Sequence, residues 1–312
     1  MGMFTLRPYT PADAGAWDAL VEHSRNGNLL HRRAYMDYHA DRFVDGSLIV
    51  DRNGEALAVF PANIKDQTVT SHGGLTYAGL ISTQAMRAEW ALEVFERIGD
   101  HYRSLGVERL VYKAVPHIFH AYPAEEDLYA LDRLGARLVR RDVSSVIALQ
   151  EPFHFTDGRR RAVNKARKLG IQLRVGTDLA AFHALLSEVL RKHDTVPTHS
   201  LLELNLLQTR FRRQIVLHEA RNEGDLLAAA LVYDFGRVVH TQYLAASEAG
   251  RSVNALNLLL AELIEHTYAD RMYFSLGIST EREGQVLNGG LITQKEYFGA
   301  RAVVHDFYEW ML

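Results

Sequence analysis

Several short segments of this 312-residue chain gather side chains able to move protons or hold anions. In the run His240–Ala245, HTQYLA, a strand would turn His240 and Gln242 to one side and Thr241 and Tyr243 to the other. An imidazole is a candidate base near neutral pH, which points to His240; the alternative is a buried His240–Gln242 pair that serves the fold. In Phe274–Thr280, FSLGIST, the hydroxyls of Ser275, Ser279 and Thr280 flank Gly277, where a backbone can come close to a ligand. Glu281 and Glu283 follow as carboxylate bases; the bland reading makes Gly277 a turn whose hydroxyls satisfy loop backbone. Further on, Asn288, Lys295 and Tyr297 lie in LNGGLITQKEYFGAR, where Lys295 is either a cation for a phosphate or carboxylate or a solvated helix lysine. Ser71–Leu80, SHGGLTYAGL, surrounds His72, Thr76 and Tyr77 with glycines, as a ligand-facing loop or as a turn between strands. Arg159, Arg160, Arg161, Lys165, Arg167 and Lys168 make one helix cationic, for a phosphate-bearing ligand or for water. His193 and His199 bracket a proline turn whose spacing fits no metal motif, leaving His199 as a substrate-contacting candidate.

The elements that must hold these residues alternate between helical and strand patterns throughout. Pro11 opens a helix that runs to about Ser24, and Arg33–Asp41 reads as a second. Ser47–Val50 and Ala56–Ile64 are strands joined at Asn53-Gly54, a strong hairpin signal. Ala88–Leu105 is a long amphipathic helix ended by Gly106. After strands at Arg109–Lys113 and Ser144–Leu149, the pattern restarts with the basic helix. It continues through helices at Leu179–Lys192 and Leu201–Phe211 and a meander over Ile215–Ala220, Leu226–Tyr233 and Val238–Ala245. Asn254–Tyr268 is apolar on most sides and should be buried; a strand at Met272–Leu276, a short helix near Gln294–Phe298 and a strand at Ala302–Tyr308 follow. The fold class expected is α/β with a mixed sheet covered by helices, in two halves of residues 1–150 and 151–312. The seam falls where Glu151-Pro152 and Asp157-Gly158 punctuate the chain.

Composition removes several function classes. A net charge of −3 argues against a dedicated nucleic-acid binder. With no cysteine, disulfides, zinc thiolate sites and a cysteine nucleophile are excluded. No apolar run has the length of a membrane span or a signal peptide, so the expected location is the cytoplasm.

Taken in order, Ser71–Leu80, His240–Ala245, Phe274–Thr280 and Leu287–Arg301 resemble the FemAB-like acyltransferases of the GNAT superfamily, including members found with bacterial surface-polysaccharide genes. The resemblance implies two tandem GNAT-like domains, each a mixed, mostly antiparallel sheet flanked by helices. It implies an N-acyltransferase that moves an acyl group, foremost acetyl from acetyl-CoA, to an amine of a sugar or cell-surface polymer precursor, with no metal. A nucleotide-linked amino sugar would suit as acceptor. Two alternatives stay open: a peptidoglycan-bridge type of enzyme that takes its donor from aminoacyl-tRNA, and a non-catalytic binding protein on the same fold. Acyl transfer to an amine needs a proton acceptor, oxyanion donors and two substrates held in line, without a covalent intermediate. On that reading His240, Tyr243 and Glu283 are the catalytic candidates. His72, Tyr77, His199, Gln242, Ser275, Ser279, Thr280, Asn288 and Lys295 would bind substrate. The pyrophosphate loop of GNAT enzymes, Arg/Gln-x-x-Gly-x-Gly/Ala, is matched only in part by Glu248–Ala255. There Gly250, Arg251, Ser252 and Asn254 are the coenzyme-binding candidates, or a plain turn capping a buried helix.

Overall fold

The computed structural model describes residues 4–192 and 194–312, so His193 lies outside the described residues. The chain divides into two compact units: Met1–Asp142 with Arg282–Val286 and Val304–Leu312, and Val143–Glu281 with Leu287–Val303. Two late segments thus belong to the first unit, an arrangement that the punctuation at Gln150–Gly158 does not announce.

In the first unit, β1 (Phe4–Pro8), α1 (Ala14–His23), β2 (Leu48–Arg52) and β3 (Glu55–Phe60) come first. The three strands and Ile81–Ser82 form a four-stranded antiparallel sheet. Asn53 and Gly54, with φ of 54° and 86°, make the hairpin expected of that pair. The Arg33–Asp41 helix breaks: Arg33–Met36 is α-helical, and Asp37–Arg42 is 3-10 with His39 at a non-helical φ of −129°. α2 (Ala88–Ser104) presents Ala91, Val94, Phe95, Ile98 and Tyr102 at three- and four-residue spacing to a core shared with Phe60, Tyr112 and Trp310. β4 (Arg109–Lys113) pairs in parallel with Thr68–Thr70 and antiparallel with the C-terminal strand, and α3 (Glu126–Arg133) packs on α2. β5 (Arg137–Ala148) starts well before the Ser144 expected and carries the chain into the second unit at Val143.

The second unit opens with the basic helix α4 (Asp157–Arg167), β6 (Gln172–Gly176), α5 (Leu179–Arg191) and α6 (Leu201–Arg210). The meander β7 (Ile215–Asn222), β8 (Asp225–Asp234) and β9 (Val238–Ala246) follows, antiparallel throughout. β8 is buried from Leu227 to Tyr233, as a central strand covered on both faces must be. α7 (Ala255–Glu262) supplies Leu258, Leu259 and Leu260 to the core, but the helix expected to run on to Tyr268 winds as a π-helix over Leu263–Thr267. β10 (Tyr273–Ile278) lies parallel to β9 and antiparallel to the end of β5, giving the order β6-β7-β8-β9-β10-β5. α8 (Gly289–Glu296) begins earlier than Gln294 because the Asn288 side chain caps it, accepting from Leu291 N at 2.9 Å. No helix among the described residues is long and apolar enough to cross a membrane.

Candidate active site

The site grows out of one irregularity in the second unit. β9 and β10 run side by side only from Val238/Tyr273 to His240/Ser275; beyond that pair no strand pairing joins them. On its other edge β9 carries a bulge: Leu231 faces Tyr243 and Val232 faces Thr241, which leaves Gln242 without a strand partner. The bulge breaks the simple alternation expected of HTQYLA, because the extra residue shifts every side chain after it by one position. The edge of β9 toward β10 is therefore free, from Thr241 onward, to offer backbone groups to a ligand.

His240 stands where the strands part. Its Nδ1 meets Ser275 Oγ at 3.0 Å, and Ser275 is fully buried. That hydroxyl fixes the ring, so the pair found is His240–Ser275, not the His240–Gln242 pair considered from the sequence. Gly277, at φ 77°, passes close to the imidazole; a Cβ there would lie 3.4 Å from His240 Cε1. The left-handed turn at Gly277 aims two carbonyls at Lys295, whose Nζ donates to Gly277 O at 2.9 Å, Ile278 O at 2.7 Å and Ser279 Oγ at 2.9 Å. Lys295 is buried rather than solvated, and burial lowers its pKa to about 8. Asn288 divides its amide: Oδ1 caps α8 and Nδ2 donates to Glu281 Oε1 at 2.6 Å. Thr280 Oγ1 accepts from Val143 N at 3.3 Å. Four sequence candidates, His240, Ser275, Ser279 and Lys295, are thus assembled around the end of β10.

A second cluster lies on the same strand. Tyr243 OH meets His199 Nδ1 at 2.7 Å, and His183 Nε2 meets His199 O at 3.1 Å. Burial raises the Tyr243 pKa. Among the described residues no group of three or more His, Cys, Asp or Glu is placed to hold a metal ion.

Comparison with known proteins bears on this geometry. Residues 157–283 match the Acetyltransferase (GNAT) domain family. A crystal structure of FemX is similar over 99% of this chain and 97% of its own, at 13% identity and a TM-score of 0.70. L-PGS from Bacillus licheniformis is similar over 98% and 93%, at 13% identity and a TM-score of 0.63. The chain has the FemAB-like fold of the GNAT superfamily. A tandem GNAT protein from the clavulanic acid biosynthesis pathway gives a TM-score of 0.51 at 12% identity, covering 98% of both chains. A search of curated proteins found no match.

In the second unit the segment Glu248–Ala255 is held by its own local hydrogen bonds. Ser247 Oγ caps the short helix Glu248–Ser252 by accepting from Gly250 N at 3.0 Å. Gly250 is buried where an added Cβ would run into the Leu227 carbonyl. Arg251 Nη1 donates to Ala246 O at 2.8 Å and Ser252 Oγ to Ala249 O at 2.8 Å. Asn254 is the exception: it precedes α7 at φ 59° and its side chain does not cap the helix.

The remaining candidates belong to the first unit. Glu283 is exposed at φ 56° in Arg282–Val286, a segment that belongs to the first unit. Tyr77 is buried, and Asn28 Nδ2 donates to its hydroxyl at 3.0 Å. His72 is buried at φ 50°, with its pKa lowered to about 3 by burial and by the neighbouring His39 and Lys113. Sequence reading passed over Lys113, which is buried and donates to the carbonyls of His72, Gly73 and Leu75, so it clamps this glycine-rich loop from beneath. Nothing in a strand reading RLVYK marks its last residue as buried.

Proposed function

We propose that the chain is an N-acyltransferase whose second unit moves an acyl group from an activated donor to an amine, with acetyl-CoA as the foremost donor and an amino sugar or cell-surface polymer precursor as acceptor. The observation that carries this reading is the parting of β9 from β10 at His240. An acyl carbonyl laid along the free edge of β9 would accept backbone N–H bonds that strengthen as its oxygen becomes an oxyanion. The amine nitrogen forms its bond to the carbonyl carbon and gives its proton to His240, whose ring Ser275 orients. The bond to the donor's sulfur or oxygen then breaks, and that atom takes up a proton. Tyr243, a phenol on the same strand held by His199, is the group we assign to supply it. Lys295 positions the Gly277–Ser279 turn and adds positive potential beside the reacting carbonyl.

The test is to incubate the purified protein with acetyl-CoA and a panel of amino-sugar nucleotides and to follow free thiol. Acceptor-dependent thiol release that the His240→Ala change removes is the expected result. Absence of release across the panel, with no rise in melting temperature on adding coenzyme A, would overturn the acetyl reading. A second reading rests on the fold neighbours, one named FemX and another the C-terminal domain of a putative lysylphosphatidylglycerol synthetase from Agrobacterium fabrum. Under it the donor is an aminoacyl-tRNA, and transfer of a labelled amino acid from charged tRNA to an amine acceptor checks it.

A further inference from the structure

Val196 and Leu202 are the two most exposed large apolar side chains among the described residues, each at 82%. Both stand on one corner of the second unit, where α5 hands over to α6. Hydrogen bonds fix that corner at both ends. Thr195 N and Oγ1 each donate to Leu190 O at 3.2 Å, which folds the chain back on the end of α5. Four residues on, His199 is tied to Tyr243 OH, and Ser200 caps α6 by accepting from Glu203 N at 3.3 Å. Val196 lies between these two anchors, and Leu202 follows in the first turn of α6. α6 turns Leu204 and Leu207 to the core and leaves Leu206, one turn after Leu202, exposed on the opposite face. A helix on the outside of a unit normally carries polar side chains there. Single exposed leucines need no reason, but the two most exposed apolar side chains meeting on one corner do.

The charge around the corner identifies the partner that suits it. Residues 191–213 carry five cations, Arg191, Lys192, Arg210, Arg212 and Arg213, against two acids, Asp194 and Glu203, in a chain whose net charge is −3. The cations stand at both ends of the apolar stretch: Arg191 and Lys192 where α5 stops, the other three at and beyond the end of α6. Lys192 has Glu188 at 3.5 Å, but among the described residues no ion pair engages Arg191, Arg212 or Arg213, and all three are exposed. Of the two acids, Glu203 gives an oxygen to the backbone N–H and hydroxyl of Ser200. An acidic protein surface would match the cations alone, and a second copy would match the apolar side chains alone. A layer that is apolar inside and anionic at its rim matches both, with valine and leucine below the rim and arginine stems reaching back to it. The other cationic element of the unit lacks this combination. In α4, Arg159 turns inward onto Asn257 Oδ1 and Gln294 O, Arg160 pairs with Glu265, and no large apolar side chain within the helix is exposed.

We infer that the α5–α6 corner is a docking surface for an anionic lipid bilayer, with Val196, Leu202 and Leu206 entering the headgroup layer and Arg191, Arg212 and Arg213 meeting lipid phosphates. The corner is continuous with the candidate site, because His199 at its inner end holds Tyr243. Docking there sets the Tyr243 side of the second unit near the membrane plane. The inference stands on exposure and charge and does not depend on the acyl-transfer reading.

The experiment measures binding without turnover. The chain has no cysteine, so a single Val196→Cys takes one environment-sensitive dye. Full-length protein is mixed with vesicles of phosphatidylcholine, alone or with about a quarter phosphatidylserine, at low and at high salt, and followed by co-sedimentation and dye emission. The expected result is binding to the mixed vesicles that falls steeply with salt, with a blue shift of the dye at position 196. The same dye on Val175→Cys, an exposed apolar position on β6, should not shift. Val196→Ser combined with Leu202→Ser should weaken binding by about tenfold or more, and Arg212→Gln with Arg213→Gln by about tenfold to thirtyfold. Arg161→Gln with Lys165→Gln, on α4, should change it less than about threefold. All these side chains are exposed, so the variants should keep the wild-type melting temperature. The inference is overturned if the mixed vesicles do not bind at low salt, if the α4 pair matters as much as Arg212 and Arg213, or if the dye shifts at 175 and not at 196. It is also overturned if the protein alone sediments as a dimer that Val196→Ser with Leu202→Ser dissolves, for then a second copy covers the corner. No substrate is present, so failure of acyl transfer leaves vesicle binding standing, and failure of vesicle binding leaves the acyl-transfer reading standing.

Discussion

At the scale of single residues, His240 and Lys295 answer to different tests. His240 is half-buried, and its Nδ1 meets Ser275 Oγ, a hydroxyl that can turn to another acceptor when the ring is truncated. His240→Ala is therefore expected to lower kcat by about 10² to 10⁴, the usual range for a lost general base, while the urea midpoint moves little. Ser275→Ala, which removes only the orienting hydroxyl, should cost activity less than His240→Ala. Lys295 is a buried charge whose three N–H bonds all go to protein oxygens. Lys295→Met would strand two carbonyls and a buried hydroxyl, at about 1–3 kcal/mol for each group left without a partner. The expected signature is a large drop in urea midpoint together with lost activity. Lys295→Arg should not restore either, because a planar fork cannot reach three acceptors arranged around a point. If Lys295→Met keeps wild-type stability, the clamp described here is wrong.

The elements explain why those residues meet. β10 ends in a left-handed turn at Gly277, and an alanine there would carry about 1–2 kcal/mol of backbone strain and bring a methyl into contact with the His240 ring. Gly277→Ala is thus expected to lower both melting temperature and kcat, whereas Gly289→Ala, which meets nothing, should change kcat little. Calorimetry and steady-state rates on the pair distinguish a site effect from a general loss of helix or turn. Much of this element-level plan was legible. The Asn53-Gly54 hairpin, the apolar stripe of α2 and the three-strand meander follow from periodicity and from turn residues, and those signals are local. The parts that were not legible depend on partners distant in sequence. The bulge at Gln242 exists only against β8, so HTQYLA read alone gives the wrong alternation after Thr241. Ser275 as the His240 partner needs the parallel pairing of β9 with β10, which are separated by a whole helix. Lys113 and Arg159 look like ordinary surface cations until their surroundings are known, since nothing in RLVYK or GRRRAV says which cation turns inward. The 282–286 return, which places Glu283 in the other unit, is likewise a matter of tertiary contact.

Across the whole chain, buried histidines set how it should respond to acid. In the first unit burial lowers His31 and His72 from 6.5 to about 3 and His305 to about 4; in the second, His218, whose Nε2 meets Tyr268 OH at 2.9 Å, is lowered to about 4. Each stays neutral in the folded chain while the unfolded chain takes up a proton below 6.5. The stability each contributes is therefore present above 6.5 and is lost as pH falls toward its folded value. At pH 5 each has lost on the order of 2 kcal/mol. Asp127 works the other way. Burial raises it to about 6, so the folded chain binds that proton first, and the first unit regains about 1 kcal/mol by pH 5. The balance is a loss on the order of 5 kcal/mol in the first unit against 2 in the second, enough to make the first unit the acid-labile one. Hydrogen exchange at pH 5 should show amides of β2, β3 and β4 losing protection before those of β7, β8 and β9, although at pH 7 the two sets need not differ. His305→Phe, which keeps the volume and removes the titrating group, should reduce the acid sensitivity of the first unit by about 2 kcal/mol at pH 5. If β8 opens first, or if His305→Phe leaves the pH dependence as it was, the buried neutral histidines are not what governs acid stability.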